Sequence, residues 1–176
     1  NATGLGMGQT YYILVDDYGS NTGTFQLCFS NKACATAVPA NDDCAAAIAL
    51  CQGQNFIGTT TNASGNSLQD PGAALWSCSS PASLDKTLYF TFSTSAANDP
   101  VVIDILPTCT GTNIPLIAGI FRAVGAPCVA ANWTSPMICA SGSATNINAG
   151  FTINTASILS PNTTYYLVLD VPDPIQ

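Results

Sequence analysis

Thr10-Tyr11-Tyr12-Ile13-Leu14-Val15-Asp16 and Thr164-Tyr165-Tyr166-Leu167-Val168-Leu169-Asp170 read as two copies of one strand, 154 residues apart. In both, Thr-Tyr-Tyr leads through three aliphatic residues to a terminal Asp. The first copy continues through Asp17-Tyr18-Gly19-Ser20-Asn21-Thr22-Gly23, a turn rich in Gly and Asn, into Thr24-Phe25-Gln26-Leu27-Cys28-Phe29. Alternation puts Phe25, Leu27 and Phe29 on one face of that second strand. A repeat of this period, sought before any fold is named, points to a tandem array. Residues 1–30 then read as the closing β-hairpin of a preceding module, or a donor strand. Residues 31–40 read as a linker, and 41–176 as a β-sandwich module without its last strand.

Between the two copies, apolar runs and alternations recur with turn chemistry between them. Strands are expected at 55–60, 87–93, 100–106, 116–122, 151–153 and 164–170,. The one helical candidate is Asp42–Leu50, capped by Asn41 or Asp42, with Ala45, Ile48 and Ala49 as a short apolar face. Many short strands with almost no helix give an all-β fold: a jelly-roll-like antiparallel β-sandwich with one short helix, stapled by disulfides. Trp76 and Trp133 fall in turn-rich stretches and are expected at the sandwich ends.

Charged residues make up 7% of the chain and hydrophobic ones 47%, so it buries enough to fold,. The net charge of −7 sets ten Asp, with no Glu, against Lys32, Lys86 and Arg122. Three cations do not make the basic stripe that phosphate neutralisation needs, so nucleic acid is not an expected partner. No apolar run is long enough to span a bilayer, so membrane insertion is not expected either.

The eight cysteines are Cys28, Cys34, Cys44, Cys51, Cys78, Cys109, Cys128 and Cys139. With no His and no Cys-x-x-Cys pair, they read as a disulfide framework rather than a zinc site, which implies an oxidising, extracellular or cell-surface location. Cys128 and Cys139 bracket a short loop and are expected to pair. Cys28 with Cys34 would fix the module boundary, and Cys44, Cys51, Cys78 and Cys109 would pair among themselves in an order left open. Sequons occur at Asn1, Asn62, Asn132 and Asn162, as candidate glycosylation positions.

Catalysis is not expected. His and Glu, the common general bases, are absent, and no Gly-x-Ser-x-Gly elbow or Ser-x-x-Lys pair is present,. No cofactor is implied. Calcium is a candidate at Asn41, Asp42 and Asp43, with Asp16 or Asp170 as a further oxygen donor. The competing reading has Asn41 and Asp42 capping the helix and tying a turn. Trp76, Trp133 and Tyr18 are candidate sugar-stacking residues, against the commoner role of such rings in the core.

Ala40-Asn41-Asp42-Asp43-Cys44-Ala45-Ala46-Ala47-Ile48-Ala49-Leu50, Gly58-Thr59-Thr60-Thr61, Leu88-Tyr89-Phe90-Thr91-Phe92 and Leu159-Ser160-Pro161-Asn162-Thr163-Thr164-Tyr165-Tyr166-Leu167-Val168 together resemble secreted β-sandwich repeat modules of Bacteroidetes surface adhesins, akin to pre-peptidase C-terminal domains. The resemblance implies a spacer, adhesive or accessory unit, commonly repeated. The expected function is therefore a structural or adhesive repeat of an extracellular polymer or filament. Copies would join head to tail through the linker or by β-strand complementation, with Thr24, Phe25, Gln26, Leu27, Cys28 and Phe29 as the assembly strand. The alternative is a carbohydrate-binding accessory module of a secreted hydrolase, with surface glycans as partners.

Overall fold

The segment Leu88–Ser93 has Leu88, Phe90 and Phe92 at alternate positions, with Tyr89 between them, and forms β2 of a computed structural model that describes residues 38–78, 83–97, 99–107, 116–143, 149–156 and 158–171. The chain divides between Cys34 and Ala35 into two units, and every described residue lies in the second. The first copy of the repeat, the expected assembly strand and residues 31–37 of the linker lie outside the described residues.

The second unit is all-β. Its strands are β1 (Ile48–Ala49), β2 (Leu88–Ser93), β3 (Val102–Ile105), β4 (Ile117–Phe121), β5 (Ile138–Ser141), β6 (Phe151–Asn154) and β7 (Thr164–Asp170). They form a five-stranded sheet in the order β1-β2-β7-β4-β5 and a two-stranded sheet of β3 and β6. Pairing is antiparallel, with Phe90 opposite Leu167, Ile120 opposite both Leu167 and Ile138, and Ile103 opposite Ile153. The exception is β1, which runs parallel to β2 with Ile48 opposite Phe90.

Period-two alternation then assigns the side chains. Leu88 and Phe90 of β2, Ala118 and Ile120 of β4, and Tyr165 and Leu167 of β7 share one buried cluster with Ile105 of β3 and Ile153 of β6, so both sheets contribute to one core. The opposite face of the large sheet carries Tyr89, Ile117, Phe121 and Val168. It is covered by Trp76, Trp133 and Cys44, which come from connections rather than strands. The central strands are thus covered on both faces, and all five residues of β4 are buried. Trp76 and Trp133 meet Phe121 edge-on at 5.0 and 6.2 Å, and Trp133 meets Tyr166 at 5.1 Å. The two indoles roof a sheet face instead of closing the ends of a sandwich.

The expected helix at Asp42–Leu50 does not form. A single 3-10 turn spans Cys44–Ala46, where Asp43 is the N-cap and its carboxylate accepts the Ala45 N–H at 3.0 Å. The chain then extends into β1. Cys44 packs on the roofed face of the large sheet, while Ile48 and Leu50 pack on the core shared with β3 and β6. A helix would have gathered these residues on one side, so crossing between two apolar layers requires extended backbone. Residues 55–60 form no ladder, contrary to expectation, although Phe56 meets Phe90 edge-on at 5.0 Å. The strand β5, which the pattern did not suggest, pairs β4 through Ile138 and Ala140.

The disulfide order also differs from expectation. Cys44 bonds Cys128, and Cys78 bonds Cys139, with Cα–Cα separations of 5.4 and 5.3 Å. Cys128 and Cys139 are therefore not partners. Cys139 sits on β5 opposite Gly119, and Cys128 lies in the connection folded over the same face. Cys78–Cys139 therefore ties roof to sheet, Cys44–Cys128 ties two roofing connections to each other, and closeness in sequence does not decide the pairing. Cys51 carries a free, exposed thiol, correcting its assignment to the disulfide framework. Cys28, Cys34 and Cys109 lie outside the described residues.

One glycine is required by close approach. A Cβ on Gly65 would run into the carbonyl oxygen of Leu84, a contact that only backbone movement relieves. Gly65→Ala is expected to destabilise the unit by about 2–3 kcal/mol through overpacking. Urea unfolding checks this, and a midpoint equal to that of the parent protein would refute the tight crossing.

Candidate assembly edge

In an antiparallel ladder the backbone polar groups of successive residues point alternately toward the partner strand and away from it. The Thr155 N–H donates to the Val101 carbonyl at 3.0 Å, in register with Ile103 opposite Ile153. Odd-numbered residues of this stretch therefore point their N–H and C=O groups at β6. Those of Val102 and Asp104 point away from it, and among the described residues β3 pairs with β6 alone. The edge of β3 is a short row of backbone donors and acceptors that no strand among the described residues pairs with.

A cleft of about 680 Å³ lies along this edge, lined by residues 50–55, 92–95 and 99–104. Four of its residues, Leu50, Phe92, Val101 and Ile103, pack against the shared core yet stay only partly buried. The core is open here. Val102, at 56% exposure, marks the outer face of the same edge. Proteins commonly blunt a free strand edge with Lys or Pro. This one has Pro100 just before the strand, no Lys, and the exposed carboxylate of Asp104, which accepts the Thr152 hydroxyl at 2.6 Å.

The expected calcium ligands are engaged otherwise. The Asn41 side chain is buried and its Nδ2 donates to the Tyr89 carbonyl at 3.0 Å. Asp42 accepts the Ser64 N–H at 2.6 Å and the Ser64 hydroxyl at 3.0 Å, and Asp43 caps the 3-10 turn. Among the described residues no group of three metal-ligating side chains converges. The three residues act as turn and cap ties, with Asp43 in the capping place expected of Asn41 or Asp42. Asp170 is on the opposite end of the chemistry: it is buried and holds a turn, and Asp16 lies outside the described residues.

Two buried carboxyls stand out. Asp170, at the end of β7, accepts the N–H groups of Asp85 and Lys86 at 3.1 and 2.9 Å and the Thr87 hydroxyl at 3.3 Å. Its second oxygen has no hydrogen-bond partner among the described residues. Burial pushes its pKa up to about 6 against the pull of these donors. The repeated Asp of the sequence motif is thus a structural tie between β7 and the turn that enters β2. Asp70 accepts the Tyr89 hydroxyl and the Asn66 N–H, and burial raises its pKa too. Burial first, and then the Asp70 carboxylate, drive the Tyr89 proton far above its ordinary value. The Asp70–Tyr89 contact escaped the sequence reading because the two residues are joined only by the folding of the roof over β2.

Trp76 and Trp133 are 2% and 6% exposed, so neither offers a ring face to a sugar. The Trp133 indole N–H donates to the Gln69 carbonyl at 2.5 Å. Tyr18 lies outside the described residues. Of the sequons, Asn62 and Asn162 are exposed, Asn132 is half-buried with its Nδ2 donating to the Ala126 carbonyl at 2.8 Å, and Asn1 lies outside the described residues. No helix among the described residues is long and apolar enough to cross a membrane. Compared with protein-family models, curated proteins and solved structures, the chain finds no match.

Proposed function

We propose that this chain is a structural or adhesive repeat unit of an extracellular, cell-surface polymer that assembles head to tail by strand complementation. The open edge of β3, flanked by half-covered core side chains, carries this reading. An exposed edge of this kind is a template for another strand. The repeat of Thr10–Asp16 in Thr164–Asp170 supports it from the sequence, since a unit that recurs along one chain is built to meet its own kind,. Two disulfides, one within the roof and one between roof and sheet, fit an oxidising location outside the cell,. A heterologous contact between a donor strand and an acceptor edge does not close on itself, so it grows as a fibre.

The carbohydrate-binding reading has lost its two best platform residues, because both tryptophans are roofing side chains. Electron microscopy and size-exclusion chromatography of the full chain, with free thiols alkylated, test the proposal. Filaments or a ladder of oligomers are expected to lengthen with protein concentration. A single monomeric species at every concentration would remove the polymer reading.

A further inference from the structure

We infer that the cleft beside β3 is an acceptor groove for one specific strand, Thr24–Phe29 of a second copy of this chain. The inference rests on the polymer reading and names the site where the copies join. β7 is hydrogen-bonded on both sides, to β2 and to β4. A strand that follows a β7-type strand therefore has no place beside it in the same sheet, and has to cross to the other. Within a double Greek key of eight strands, the last strand lies between the first and the third, in the sheet facing the seventh. With residues 55–60, which form no ladder among the described residues, in the place of the first strand and β2 as second, the run β2-β7-β4-β5 within the order β1-β2-β7-β4-β5 is that of one such sheet. On that pattern the other sheet has, in order, residues 55–60, a position that no described strand fills, β3 and β6. The cleft between residues 50–55 and 99–104 falls at that position.

The sequence names the occupant. Thr24–Phe29 follows Thr10–Asp16, the copy of β7, across a Gly- and Asn-rich turn. Its Phe25, Leu27 and Phe29 alternate onto one face and match the half-covered Leu50, Phe92, Val101 and Ile103. Its backbone would meet the unused N–H and C=O groups of Val102 and Asp104. The donor is assigned to another copy because the position between β2 and β4 already holds Thr164–Asp170.

Two full-length variants separate acceptor from donor. Val102→Pro removes an N–H that points away from β6, so it blocks the groove and keeps the ladder to β6. Phe25→Asp with Leu27→Asp places charge on the donor face and leaves the acceptor unit unchanged. Thermal melting first establishes that each variant remains folded; Val102→Thr, which keeps the N–H, serves as the acceptor control and is expected to polymerise like the parent. With free thiols alkylated, each blocked variant alone is expected to run as a monomer. An equimolar mixture of the two is expected to give dimers of twice the protomer mass that grow no further, since one partner lacks a donor and the other an acceptor. If the parent forms filaments and folded Val102→Pro forms them equally well, the groove assignment fails and the polymer reading stands. If the mixture stays monomeric while the parent polymerises, the pairing of this donor with this groove is overturned. A parent that stays monomeric, its groove filled by its own strand or left open, overturns both.

Discussion

Replacing Cys44 and Cys128 together with Ala is expected to lower the unfolding free energy by about 4–5 kcal/mol. The bridge closes a loop of 84 residues, and cross-linking so distant a pair removes much of the freedom of the unfolded chain,. Cys44 is also 2% exposed and packs with Tyr89 and Trp133, so truncating it leaves a gap in the roofed face,. The Cys78–Cys139 bridge closes 61 residues and is expected to contribute about 4 kcal/mol on the same grounds,. Urea unfolding of each double variant measures the loss. Digestion without reduction followed by mass spectrometry checks the connectivity: linked peptides containing Cys44 with Cys128, and Cys78 with Cys139, are expected. A peptide joining Cys128 to Cys139 would show that the roof is not fastened as described.

Asp170→Ala is expected to cost about 3 kcal/mol, because it strips the acceptor from two backbone N–H groups and a buried hydroxyl at once,. Asp170→Asn keeps the accepting oxygen and removes only the charge, so its loss at neutral pH is expected to stay within about 1 kcal/mol. The two variants separate further in their response to pH. Folded Asp170 holds its proton up to about pH 6, whereas an aspartate free of these surroundings titrates at 3.8. Between these values the folded state binds more protons than the unfolded one, so stability falls as pH rises. The contribution is fully present below the unfolded pKa and lost as pH passes through about 6. Its full extent is on the order of 2–3 kcal/mol at 1.36 kcal/mol per pKa unit. Asp70, also raised by burial, acts in the same direction. The parent is therefore expected to melt at a higher temperature near pH 4.5 than at pH 7.5, and Asp170→Asn to flatten much of that difference. A parent that melts higher at pH 7.5 would show that Asp170 is ionised in the fold without penalty.

These two effects and the assembly edge have one origin, the covering of the large sheet. Its roofed face is closed by connections tied down by disulfides, and its other face, among the described residues, by the two-stranded sheet of β3 and β6 with side chains such as Ala63 and Leu159. Stability is invested where the roof is clamped, and an incomplete core is left where β3 ends. Gly65, Asp70 and Asp170 all serve the clamped side. The open side holds a backbone edge unpaired among the described residues, half-buried apolar side chains and the free thiol of Cys51.

The strands with strong alternation were legible from residue order. Leu88–Ser93, Val102–Ile105, Ile117–Phe121, Phe151–Asn154 and Thr164–Asp170 all fall where apolar and β-branched residues recur with period two or in unbroken runs,. The all-β class followed, as did the presence of disulfides, because eight cysteines without His leave little else for them to do. Tertiary structure alone decided which layer each part faces. Ile48 and Ala49 carry a pattern that fits a short helix or a strand, and the need to reach from the roof to the shared core chose the strand. Ile138–Ser141 has too weak an alternation to be seen, and pairing with β4 made it one. Cys128 is close to Cys139 along the chain, but the folding of remote connections over the sheet gave each a different partner. Local pattern records what one residue and its neighbours prefer. Disulfide order, the buried Asp70–Tyr89 contact and the pairing of β3 with β6 depend on segments far apart in the chain, and only the assembled layers bring them together.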